Sequence, residues 1–96
     1  MTRCHHFHLD VRGHSVTVNV HSGRPGLIEL LVDGKEIHRQ PLHGPGHGPR
    51  TATGELPTDP PLPVTVHVVP GLPGLGTPRC TAVIDGAETP MAPRAF

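Results

Sequence analysis

Nine histidines and two cysteines are the residues of this 96-residue sequence whose chemistry stands out. Several crowd the first turnable stretch, at Cys4, His5, His6 and His8, with His14 and His21 soon after. Neutral imidazole and thiolate are good ligands for zinc and copper. Cys4, His6 and His8 alternate with other residues, so on an extended strand they project from one face. If the chain reverses at Arg12-Gly13, Cys4 lies opposite His21, His6 opposite Asn19 and His8 opposite Thr17. Diagonal neighbours on such a face are ~7–8 Å apart, which long side chains can span. Cys4, His6 and His21, with His8 or a water as fourth ligand, therefore form a candidate zinc or copper site. The competing reading is a solvated face in a histidine-rich sequence, because no recognised ligand spacing such as Cys-x-x-Cys or His-Glu-x-x-His occurs. His43 and His47 lie in a Gly-Pro stretch, where ordering a site costs conformational entropy. His67, within VTVHV, reads as a sheet-face residue.

Catalytic patterns are absent, and the sequence predicts no enzyme. Ser15 and Ser22 lack a nucleophile-elbow context. The carboxylates are dispersed, and Asp33 and Asp85 are explained by turn chemistry. No glycine-rich phosphate loop precedes a helix. Cys80 alternates with the apolar Ala82 and Ile84, whereas Cys4 faces the other way, so a disulfide is disfavoured. Cys80 reads as a small core residue and Cys4 as a free thiol.

The elements that must position these residues are strands. Leu27–Gln40, LIELLVDGKEIHRQ, reads as a hairpin closed on Asp33-Gly34, the dipeptide that best tolerates a tight turn with positive φ at both positions. With that loop, Val32 faces Lys35, Leu30 faces Ile37 and Ile28 faces Arg39 on the expected core side. Leu31 faces Glu36 and Glu29 faces His38 on the other. Upstream, Phe7, Leu9 and Val11 alternate through His5–Val11, and Val16, Val18 and Val20 alternate through Ser15–His21. A two-residue loop at Arg12-Gly13 brings Leu9 to Val16 and Phe7 to Val18, so the apolar faces coincide. Downstream, Arg50–Leu56 reads as a short strand, Pro57–Pro63 as an extended edge, and VTVHVV at 64–69 as a clear strand. Cys80–Asp85 and Glu88–Met91 flank a further turn at Asp85-Gly86. VTVNV at 16–20 with Val32-Asp33-Gly34 also recurs as VTVHV at 64–68 with Ile84-Asp85-Gly86. A repeat and chance similarity among valine-rich strands both account for that echo.

Composition agrees with this outline. Thirteen prolines and twelve glycines punctuate short apolar runs, as in an all-β domain, and no helix longer than about two turns is expected. The class expected is a compact antiparallel β-sandwich of about seven or eight short strands built from consecutive hairpins. It forms a single domain over residues 1–91, with 92–96 as a C-terminal tail or linker. Without Trp or Tyr, the core must rest on Val, Leu and Ile. Zero formal net charge and the lack of stacking aromatics imply no polyanion partner, so nucleic-acid binding is not expected. No apolar run is long enough to insert in a membrane, and no signal segment opens the chain, so a cytoplasmic location is expected. One Lys against seven Arg suggests a GC-rich, bacterial genome.

The order of short motifs resembles the FAIM (Fas apoptotic inhibitory molecule) family. It is carried by Arg12-Gly13-His14, Val16–Val20, Val32-Asp33-Gly34-Lys35-Glu36-Ile37 and Val83-Ile84-Asp85-Gly86. The family's aromatic residues around these strands are missing, and Ala87 stands where its second hairpin carries Lys. The resemblance implies an eight-stranded sandwich that is non-enzymatic and acts through protein contacts. The function expected is thus an interaction or assembly module. Its partner, another protein or a second copy, would meet the second face of the Leu27–Gln40 hairpin at Leu27, Leu31, Glu36 and His38. Metal binding on the first hairpin is one alternative, and an accessory domain of a larger protein is another.

Overall fold

The structure, a computed structural model, describes residues 3–22, 26–42, 50–69 and 79–94. Three tight turns set its plan. At Arg12-Gly13, Asp33-Gly34 and Asp85-Gly86 both residues have positive φ, between 51° and 82°, the geometry whose twist matches that of the flanking strands. The first turn joins β1 (Arg3–Val11) to β2 (His14–Ser22), and the second joins β3 (Gly26–Val32) to β4 (Lys35–Leu42). The third joins β7 (Arg79–Ile84) to β8 (Ala87–Pro90). β5 (Arg50–Leu56), β6 (Leu62–Val69) and β9 (Ala92–Arg94) complete the strands among the described residues.

The strands form two antiparallel sheets, ordered β4-β3-β2-β1-β9 and β5-β6-β7-β8. One apolar cluster lies between them, with Phe7, Val16, Val18, Val20, Ile28, Leu30 and Val32 from the larger sheet. Ala52, Leu56, Val64, Val66, Val68, Cys80, Ala82 and Ile84 face them from the smaller one. Where a strand contributes several of these positions they are an even number of residues apart, as burial of a single sheet face requires. The spacing is two on β2, β3, β6 and β7 and four on β5, where Gly54 lies between Ala52 and Leu56. No polar or charged residue is buried among the described residues. The fold is the all-β sandwich expected from the alternation.

The valine echo is repeated in the strand pairing. Val16, Val18 and Val20 on β2 pair with Val32, Leu30 and Ile28 on β3. Val64, Val66 and Val68 on β6 pair with Ile84, Ala82 and Cys80 on β7 in the same order. Each sheet thus contains a four-stranded meander, β1 to β4 or β5 to β8, with matching registers at its centre, and β9 adds a fifth strand to the first.

Three expectations change. The β3–β4 hairpin keeps Val32 opposite Lys35 and Leu31 opposite Glu36, but a bulge then shifts the register. His38 pairs with Leu30, Arg39 with Glu29 and Gln40 with Ile28. Ile37 is the extra residue. The cause is tertiary: its side chain lies over Gly54 of the opposing sheet, where a Cβ would overlap Ile37 Cδ1 and stand 3.2 Å from Leu30 Cδ2. Arg39 is therefore moved off the core side and His38 onto it. Next, residues 57–61 bend between β5 and β6 rather than running as an edge strand, with Thr58 Oγ1 donating to Pro60 O at 2.8 Å. Lastly, Ala92–Arg94, expected in the tail, pairs with β1 as β9. Met91 alone links β8 in one sheet to β9 in the other, and it is 4% exposed. His43 and His47 lie outside the described residues. Among those described, no helix is long and apolar enough to cross a membrane.

Candidate functional site

The side chains singled out for metal binding and those singled out for a partner lie on the same surface. The outer face of the larger sheet is crossed by three rows of paired residues. One runs His8, Thr17, Leu31, Glu36; the next His6, Asn19, Glu29, Arg39; the third Cys4, His21, Leu27, Pro41. The first-hairpin pairs are those expected from a turn at Arg12-Gly13. Leu27 and Leu31 are half-buried on this face. His38 is not on it: the bulge turns it toward Leu30, and its Nε2 is buried without a hydrogen-bond partner among the described residues.

Glu29 is the hub of the face. Its Oε1 accepts from His21 Nε2, and its Oε2 lies 3.4 Å from Arg39 Nη2. Arg39 Nε in turn donates to Glu36 Oε1 at 2.9 Å. Burial pushes the Glu29 carboxyl up, but hydrogen bonds to His21 and Glu36 and the charges of His21 and Arg39 outweigh it, leaving the pKa lowered. The Arg39 guanidinium is raised, first by its hydrogen bond to Glu36. Arg39 was not expected here, and no residue of EIHRQ signals the bulge that brings it.

The proposed metal ligands divide. Cys4 Sγ lies 3.9 Å from both His6 Nδ1 and His21 Nε2. Those same nitrogens are engaged, His6 Nδ1 with Asn19 Oδ1 at 2.7 Å and His21 Nε2 with Glu29. His8 turns to Thr17 Oγ1 at 3.4 Å and Asp10 Oδ1 at 2.8 Å, away from the thiol. Among the described residues no group of three His, Cys, Asp or Glu side chains is arranged to hold a metal ion.

Cys4, His21 and Glu29 also invite comparison with a nucleophile, base and orienting carboxylate. A working triad uses the two ring nitrogens separately, one toward the acid and one toward the nucleophile. Here Nε2 meets both. The Cys4 thiol is moreover raised, by desolvation and then by the Glu29 charge, the reverse of what activates a thiolate. The arrangement is a cross-strand hydrogen-bond network that lacks the geometry of such a triad.

No family model, no curated protein and no solved structure matches this chain.

A second feature opens on the other side of β1. A cleft of about 560 Å³ lies at one end of the sandwich, lined by His5, Phe7, Arg79, Cys80 and Met91 among others. Both cysteines are free. Burial pushes the Cys80 thiol up to about 12. The alternation His5, Phe7, Leu9 already places His5 on the inner face, and that was the available signal for this cleft.

Proposed function

We propose that this protein is a small non-catalytic β-sandwich that acts as an interaction or assembly module through the outer face of its five-stranded sheet. The observation carrying the reading is one face that joins two half-buried leucines, Leu27 and Leu31, to the His21–Glu29–Arg39–Glu36 network. Apolar anchors within a polar, hydrogen-bonding surround are the make-up of a protein interface. Three of the four strand edges are less suited to the task. β4 carries a bulge and Pro41, while β8 and β9 are four and three residues long and include Pro90 and Pro93. Such features discourage edge-to-edge pairing. β5, the fourth edge, has neither a proline nor a bulge, but it carries no apolar anchors on a hydrogen-bonded surface like that of the face. The FAIM-like order of hairpins supports the same reading, since that family acts through protein contacts.

The test compares the protein with a Leu27→Ala/Leu31→Ala variant, by light scattering at rising concentration and by capture on immobilised protein. The double variant should keep its circular dichroism and lose association by about tenfold or more, since each buried leucine is worth ~1.5–3 kcal/mol. Unchanged mass and unchanged capture in the variant would sink the proposal.

A further inference from the structure

We propose that His5, Cys80 and Met91 form a binding site for one copper ion in its monovalent state, in the cleft between the two sheets. The three side chains reach that cleft from three elements. His5 is on the inner face of β1, opposite the buried Val20 and one alternation from Phe7. Cys80 is near the start of β7, and Met91 is the corner between β8 and β9. All three line the same cavity.

The sulfur pair is fixed from two directions. Met91 N–H donates to Cys80 O at 2.9 Å, which holds the corner against β7. Cys80 Sγ then donates to Met91 Sδ across 3.4 Å. With metal–sulfur bonds of about 2.3 Å, as for zinc thiolates, a trigonal angle needs the sulfurs about 4 Å apart. A small rotation of the flexible methionine supplies that separation.

The donor set selects the ion. Thiolate, thioether and imidazole together suit monovalent copper, whereas hard divalent cations prefer oxygen. Among the described residues no carboxylate lines the cleft, and Arg79 does. A divalent ion would therefore leave uncompensated positive charge beside an apolar core, which is costly. A monovalent ion that takes the place of the Cys80 Sγ proton, released to solvent, leaves the charge of the site unchanged. Cys4 and His6, at the start of β1, also border the cleft, so a Cys4→Ser variant separates them from the proposed ligands. These ligands differ from the Cys4, His6 and His21 group on the outer face, and the proposal is independent of the interaction role.

The experiment is an anaerobic titration of untagged protein with copper(I) held by bicinchoninate as a coloured competitor. The protein and a Cys4→Ser variant should each withdraw one copper per chain. Met91→Leu and His5→Gln each remove a ligand and should weaken retention by about tenfold or more, at least the cost of losing an outer-shell partner, and Cys80→Ala should abolish it. Far-ultraviolet circular dichroism verifies that each variant is folded. Met91→Leu preserves shape, so it reports on the thioether even if Cys80→Ala fails to fold. X-ray absorption should show sulfur scattering that diminishes in Met91→Leu. Failure of the protein to withdraw copper overturns the proposal. So does retention that Cys4→Ser destroys while Met91→Leu and His5→Gln leave it intact.

Discussion

Asp33 closes its turn and also reaches back to β2, accepting from Ser15 N–H at 3.0 Å with Oδ1 and from His14 Nδ1 at 2.7 Å with Oδ2. The Ser15 backbone hydrogen bond and then the one from His14 lower its pKa, and Glu29 is lowered as well. A carboxyl with a folded pKa below its unfolded value adds stability that is present above the unfolded pKa and lost as pH falls through the folded one. Urea unfolding should therefore show stability declining as pH drops below about 4, the ordinary carboxylate range. An Asp33→Asn/Glu29→Gln variant should show a shallower decline; an identical slope would refute the assignment. Arg12 presents the opposite case, a long side chain held at φ 51°. That conformation costs an ordinary residue roughly 1–2 kcal/mol, while the exposed contact to Asp85 Oδ2 at 3.4 Å offsets at most about 1 kcal/mol. Arg12→Asn should raise the melting temperature by about 4–8 °C for each kcal/mol recovered.

Among elements, β4 departs furthest from its reading in the sequence, and the departure has a partner in β5. Gly54 has room for Ile37 because it lacks a Cβ. Gly54→Ala should destabilise by about 1–3 kcal/mol, as overpacking does. Adding Ile37→Ala should recover part of that loss, and denaturant midpoints of the single and double variants measure the coupling. The strands around Arg12-Gly13 and Asp85-Gly86 were legible because alternation and turn type agree, and the β1–β2 register is the expected one throughout. The bulge was not, since Lys35–Gln40 holds neither Gly nor Pro and the determining contact is 17 positions away in another sheet. β9 was missed for a different reason. Three residues including Pro93 are too few to display a period, and only the edge of β1 defines them as a strand.

On the scale of the whole molecule, the candidate surfaces were visible in pieces. Cys4, His6 and His21 followed from one hairpin and Leu27, Leu31 and Glu36 from the next, but only β2–β3 pairing makes them a single face. The cleft has no comparable local signature, because His5, Cys80 and Met91 come together through packing of distant segments. The same division by sheets bears on how fast the chain acquires its structure. Within each meander every strand pairs with its sequence neighbours, and β9 with β1 is the exception, joining the two ends of the chain. Contacts between neighbours in sequence form at little loop-closure cost, whereas end-to-end pairing comes late. Interactions made after the folding barrier govern the rate of escape from the native state, not the rate of reaching it. Removing residues 92–96 should hence leave the refolding arm of the chevron in place and steepen only the loss of folded protein with time. The clasp of β9 on β1 would then act as a kinetic lock.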